Sequence, residues 1–369
     1  MENLKKLVAI KSDENCNEII DYLKKELNDK VEEIMTFGET TKVLIVGINT
    51  KLKDITPVVL AGHIDTVSAN TALYKTDPFL LTEIDGKCYG LGSIDMKSFT
   101  AVVLDKIKDL KELNIPIVFA LTTDEETKLK SVDILVDAFK KLNIKPKFTV
   151  LGEPTKSEFN LCSNACYEYR VKFFGVACHS SRINEGVNAI CAMAKLISYI
   201  ETIQKKYKLT SNCGVVKGGE VVNKVPDYAE LSFDIRSTSQ EDIDKFISEI
   251  ENYLSMLKQE YTGLSIEISK ELAIPAYNML DNNKILTIAK ELDIKTNLFS
   301  GGCEAGYYTS YSGDAVIFGV GDLSLAHKPN EYALKSEYLQ YRDKLLCLLK
   351  SIKKYYFDWF YRPKSNIFN

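Results

Sequence analysis

The chain has 369 residues, 45% of them hydrophobic and 27% charged, with a formal net charge of −4. That length suits two domains, and the composition is that of an ordinary globular protein. No basic field is present for nucleic acid, no apolar run approaches membrane-spanning length, and the start, MENLKKLVAIKSDEN, lacks the apolar stretch of a secretory signal. Partners in nucleic acid or membrane are therefore not expected. The nine cysteines are scattered with no C-x-x-C pair and read as free thiols in a reducing cytoplasm. Cys162 and Cys166, in CSNAC, have a spacing that a metal could use. With no second pair, they read as core or loop cysteines.

In chain order, NCNEIIDYLKKELN, about residues 15–28, has helical spacing in Ile19, Ile20, Leu23 and Leu27. KVLIVGI and PVVLAGHID read as strands, and a helix is expected from about Met96 to Leu110. IPIVFALTTDEE then reads as a strand, SVDILVDAFKKL as a helix and KFTVLGEP as a strand. This alternation predicts a mostly parallel sheet flanked by helices. The pattern changes after about residue 164. YEYRVKFFGV and YAELSFDIRS alternate like strands with one wet face, helices are expected over about 187–203 and 241–257, and LSIEISKEL is one more strand. After about residue 273 the first style returns, with the helix NNKILTIAKEL, the strand AVIFGV and a last helix over about 334–355. The expected fold is α/β: a catalytic domain of residues 1–164 and 273–369, interrupted by an α+β domain, 165–272, with an antiparallel sheet and two helices.

Acidic and imidazole groups collect just past the predicted strands. His63 and Asp65 end one; Asp124, Glu125 and Glu126 end the next; Glu153 follows a third; His327 lies beyond a fourth. Asp95 sits in a glycine-rich loop before a helix. Ligands of open parallel sheets bind outside the carboxyl ends of the strands, so these groups are expected to converge. Several carboxylates in one crevice raise one another's pKa unless a cation holds them ionised. Imidazole and carboxylate ligands suit zinc, with cobalt or manganese as alternatives. Two divalent ions balance Asp95, Glu126, Glu153 and a bridging hydroxide. The chain has only three histidines, and two of them fall at these strand ends.

The segments GHIDTV, YGLGSIDMKS, TTDEE, LGEPT, ACHSSRINEGVNAI, GGEVVNKVPDYAELSFDIR and AHKPNEY occur in this order. Together they resemble the dinuclear-zinc amidohydrolases that include acetylornithine deacetylase, succinyl-diaminopimelate desuccinylase, carboxypeptidase G-type enzymes and aminoacylases. The resemblance implies that His63 and Glu153 bind one metal, that Glu126 and His327 bind the other, and that Asp95 bridges them, next to a cis Asp95–Met96 peptide. Asp65 would accept the second ring N–H of His63 and fix its tautomer. Glu125 would be the general base, taking a proton from metal-bound water to leave hydroxide and returning it to the leaving amine. His179 would reach the active site of a partner subunit and donate to the oxyanion, making the inserted domain a lid and the contact of a homodimer. Asn223 would hold the substrate.

Two residues keep alternatives open. Arg236 is either the partner of a substrate carboxylate or one half of a surface ion pair. Glu304, in FSGGCEAGYYTSY, is either a contact for a cationic substrate side chain or a solvated loop acid. That block resembles the deacetylase branch, with Cys303 and Gly306 departing from it, so the expected reaction is hydrolysis of N-acetyl-L-ornithine to ornithine and acetate, a step of arginine synthesis. Succinyl-diaminopimelate desuccinylase comes second and needs another basic group, for which Arg182 and Lys217 are the candidates. A dipeptidase-like enzyme and a non-catalytic binding protein complete the alternatives. The aromatic tail YYFDWFYRPKSNIF is expected to pack on the main domain or on a partner.

Overall fold

A computed structural model of the protein describes residues 1–358, and the packing of the aromatic tail lies outside the described residues. The chain forms two compact units. Among the described residues the first contains Met1–Leu161, Met279–Phe299 and 303–358; the second contains Cys162–Asn278 and Ser300–Gly302.

The sheet of the first unit runs Glu33–Phe37, Val43–Ile48, Ile117–Thr122, Val58–His63, Phe148–Leu151, Asp314–Ile317 and Phe159–Ser163. Its centre is parallel. Val58–His63 pairs in parallel with both neighbours, and Asp314–Ile317 pairs in parallel with Phe148–Leu151. Val43–Ile48 is antiparallel to the strand on either side of it. Every residue of Val58–His63 and Ile117–Thr122 is buried, which is why these strands are continuous apolar runs rather than alternating ones. Helices supply the cover. Leu4, Leu7 and Val8, then Ile19, Ile20, Leu23 and Leu27, then Phe99, Val102 and Val103 join one core with the sheet. Helix Lys130–Leu142 buries Val132, Leu135 and Phe139.

The helix expected over Met96–Leu110 is two helices, Lys97–Asp105 and Ile107–Glu112. The break falls at Lys106, whose backbone leaves the helical region. A small sheet of Thr82–Ile84, Lys87–Tyr89 and Tyr332–Leu334 brings the segment after His327 beside the loop that carries Asp95.

The second unit is an antiparallel sheet in the order Thr210–Gly218, Tyr228–Ser237, Ala165–Phe174, Ser265–Ile274. Burial alternates along Ala165–Phe174, so one face is dry. Val171, Phe173, Leu231, Phe233 and Ile235 on that face pack with Leu196 and Ile200 of helix Ala189–Ile203 and with Phe246 and Ile250 of helix Gln240–Glu260. The Asn188 and Ser239 side chains cap these helices by accepting the N–H groups of Cys191 and Asp242. Among the described residues no helix is long and apolar enough to cross a membrane.

Candidate metal centre

The carboxyl ends of the parallel strands build the site. His63 is the last residue of Val58–His63, paired with Thr122, the last of Ile117–Thr122. Glu126 lies in the turn after Thr122, and Glu153 just past Phe148–Leu151. The Asp95–Met96 peptide is cis. Asp95 stands between the two imidazoles. One of its oxygens is 3.1 Å from His63 Nε2 and the other 3.3 Å from His327 Nε2. His327 Nε2 is also 2.8 Å from the Glu126 carboxylate, and Glu153 is 4.0 Å from His63 Nε2. Ligand atoms of His63, Asp95 and Glu126 all lie within 4.8 Å of one another. The five expected ligands are thus brought to one place.

Asp65 holds this set from behind. His63 Nδ1 bonds the Asp65 backbone carbonyl at 3.1 Å, where the sequence suggested the carboxylate; the nearer carboxylate oxygen lies 3.4 Å away without a hydrogen bond of ordinary geometry. The other Asp65 oxygen accepts the backbone N–H of Glu126 at 3.0 Å. Asp65 therefore steadies a group from each half of the site, His63 through its main chain and Glu126 through its side chain.

Electrostatics show what the donor set demands. Burial, with Glu153, Glu126 and Asp95 adding to it, pushes the Glu125 carboxyl well above its usual range. Burial and the Asp95 carboxylate do the same to Glu153. One Glu153 oxygen is buried without a hydrogen-bond partner. Burial also opposes the charge of Asp95, but the His327 and His63 imidazoles outweigh it and hold its carboxyl below the ordinary range. Hydrogen bonds to Asp95 and Glu126 lift His327 to about 10. Carboxylates this crowded, with an orphaned oxygen aimed among imidazoles, fit divalent cations. His63, Asp95, Glu126, Glu153 and His327 are the residues that would hold them.

The turn after Thr122 is fixed by a residue whose role the sequence does not reveal. Asp124 turns away from the site, and its carboxylate accepts the N–H groups of Lys130 and Ser131 at 3.1 and 2.8 Å and the Ser131 hydroxyl. Its carbonyl accepts the N–H groups of Lys128 and Leu129. This caps helix Lys130–Leu142 and leaves Glu125 and Glu126 to face the ligands.

Glu304 departs from both sequence readings. A contact for a substrate side chain and a solvated loop acid each need an accessible carboxylate, whereas Glu304 is 0% exposed. It sits at the start of a short helix, Ala305–Tyr311, where the sequence suggested only a loop. Neither oxygen has a hydrogen-bond partner of ordinary geometry. Burial, with Asp65 and Asp124 adding to it, pushes its carboxyl up to about 7 against the pull of the Thr122 hydroxyl and His63.

His179, Asn223 and Arg236 belong to the second unit. His179 and Asn223 are neighbours: a bridge pairs His179 with Lys224, and the Ser180 N–H donates to the Asn223 carbonyl at 3.0 Å. The Ser181 N–H donates to His179 Nδ1 at 3.2 Å. In a neutral imidazole that puts the proton on Nε2. Arg236 forms an ion pair with Asp234 at 3.1 Å on the same strand, the surface-pair alternative, with 43% of its side chain exposed. Lys217 is paired with Glu230 at 3.4 Å and Arg182 with Glu185 at 3.7 Å.

The family model for peptidase family M20/M25/M40 matches residues 59–351. Acetylornithine deacetylase of Pectobacterium atrosepticum is 30% identical over 293 residues, covering 74% of this chain and 75% of that protein. Acetylornithine deacetylase of Proteus mirabilis is 30% identical over 294 residues, covering 74% of each. Among solved structures, a tripeptidase from Staphylococcus aureus superposes with a TM-score of 0.73 at 22% identity, covering 96% of this chain and 97% of that one. A dinuclear metal-binding M20 peptidase from Bacillus subtilis does so with a TM-score of 0.70 at 15% identity, covering 96% and 97%. The fold is that of these peptidases, and the chain belongs to peptidase family M20/M25/M40.

Proposed function

We propose that the protein hydrolyses the amide bond of an N-acyl amino acid, with N-acetyl-L-ornithine as substrate and ornithine and acetate as products. The observation that carries the reaction is Asp95, which offers one oxygen to each of two imidazoles beside the half-buried Glu125. The ornithine substrate rests on relatives named acetylornithine deacetylase. Two divalent ions, zinc in this reading, supply Lewis acidity toward the amide carbonyl and acidify water when bound.

The chain's own residues do the rest. Asp65 keeps the His63 ring oriented and Glu126 in place. Glu125 takes a proton from the attacking water and delivers it to the departing amine nitrogen; a carboxyl held above the ordinary carboxylate range by burial suits both transfers. His179, with its proton on Nε2, donates to the tetrahedral oxyanion in the site of a partner subunit. Asn223, its neighbour, holds the substrate, and Arg236 receives the substrate carboxylate by exchanging Asp234 for it. The second unit thus serves as lid and homodimer contact. A cytoplasmic setting suits the nine free cysteines.

The test is hydrolysis of N-acetyl-L-ornithine and N-succinyl-diaminopimelate side by side, with zinc or cobalt added and Glu125→Ala as the blank. Release from acetylornithine alone is expected. Release from the succinyl substrate alone would keep the chemistry and replace the substrate. That substrate stands second because its additional carboxylate needs a further basic group, for which Lys217 and Arg182 are the candidates, and because the relatives compared are named acetylornithine deacetylase. Cleavage of neither would turn the assignment toward dipeptides or a binding role.

A further inference from the structure

Glu331 is buried, with 2% of its surface exposed, yet it belongs to none of the groups assigned above. Its carboxylate gathers backbone N–H groups from a single loop. One oxygen accepts Ile94 N–H at 2.8 Å and Asp95 N–H at 3.2 Å, and the other accepts Gly92 N–H at 3.2 Å. The Glu331 backbone carbonyl accepts a fourth donor, Gly90 N–H, at 3.1 Å. Convergent N–H groups of this kind form a concave nest for an anion, and a carboxylate fills it with two oxygens. Gly92 permits the curvature, since its φ of +76° favours glycine and an added Cβ would meet Lys97 at 3.0 Å.

The position of Glu331 in the chain gives the nest its consequence. Its loop also carries His327, and two residues of that loop, His327 and Asn330, have left-handed backbones. Such a loop keeps its shape only if its surroundings fix it. Tyr332 pairs with Tyr89, and the Asn330 side chain accepts the Lys75 N–H, but the Glu331 carboxylate is the bond that reaches the backbone of Asp95 itself. We propose that Glu331 is the positioning residue of the metal centre: its buried carboxylate fixes the loop of Asp95 and locks it to the loop of His327, so that Asp95 stands between the two imidazoles. Glu331 touches neither substrate nor metal in this role. It acts through Asp95, and the inference rests on the two-ion reading above.

The test uses the full chain, stripped by a chelator and then titrated. Glu331→Gln keeps the shape but replaces one acceptor oxygen with an NH2 that faces an N–H donor; Glu331→Asp keeps both acceptor oxygens on a shorter arm. Zinc affinity by calorimetry, the visible spectrum of the cobalt-loaded protein, and amide exchange across Gly92–Asp95 in the metal-free protein are compared with wild type. In Glu331→Gln, zinc binding is expected to weaken by about tenfold or more, the cobalt bands to shift, and the amides of Gly92, Ile94 and Asp95 to exchange at least about tenfold faster, with Ile117–Thr122 unchanged. Glu331→Asp is expected to recover part of each. Wild-type zinc affinity and cobalt spectrum in Glu331→Gln, whatever its melting temperature, would overturn the inference, as would unchanged exchange at Gly92–Asp95. If the wild-type protein itself bound neither ion, the two-ion reading would fall and this inference with it.

Discussion

Replacing Glu304 by Gln should stabilise the metal-free protein at neutral pH and leave it nearly unchanged in acid. The carboxyl is fully buried without a hydrogen bond of ordinary geometry, and burial raises it from 4.5 to about 7 against the pull of Thr122 and His63. Between those values the native state holds a proton that the unfolded chain has released. Stability present below about 4.5 is therefore lost as the pH rises through about 7. A displacement of that size corresponds to about 3 kcal/mol, an order-of-magnitude figure at 1.36 kcal/mol per unit. Gln is neutral at every pH and nearly isosteric with the protonated acid, so it carries no such slope. Urea denaturation of wild type and Glu304→Gln, both treated with chelator, at pH 5, 6, 7 and 8 reads the difference directly. The variant should gain progressively, most of it by pH 8. A difference that stays flat across the range, or a wild type more stable than the variant at pH 8, would show that Glu304 is ionised and paired and would refute the reasoning.

Three other perturbations separate the roles at the centre. Glu125→Gln should bind divalent metal as wild type does by calorimetry and lose roughly 10²- to 10⁴-fold in kcat, because only proton transfer is removed. Asp65→Ala should weaken metal binding roughly tenfold, since the Glu126 N–H loses its acceptor and the His63 ring loses the negative charge 3.4 Å from Nδ1. Asp124→Ala should cost about 1–2 kcal/mol in denaturation by removing the acceptor at the start of helix Lys130–Leu142, with faster amide exchange at Lys130 and Ser131.

The parts of the fold legible in the sequence were those where burial writes a pattern. Val58–His63 and Ile117–Thr122 are covered on both faces, so their apolar runs and the polar residues that end them stand out. Strand Thr210–Gly218 lies at the edge of its sheet and is mostly exposed, and its TSNCGVVKG sequence has no such signal. Helix Ala305–Tyr311 is short and holds Gly306 beside two tyrosines, so its spacing does not announce it, and the burial of Glu304 went unseen with it. His63, Asp95, Glu126, Glu153 and His327 could be nominated because strand ends concentrate them. Glu331 could not, and Asp124, expected to converge with the others, caps a helix instead; the partners of both are mainly backbone N–H groups, which every residue but proline carries and which leave no trace in composition.

The most direct measurement is anomalous diffraction at the zinc edge from crystals of the zinc-loaded protein. Two peaks are expected, one against His63 and Glu153 and one against Glu126 and His327, with Asp95 between them. A single peak, or peaks away from Asp95, would contradict the two-ion centre on which the proposed hydrolysis depends.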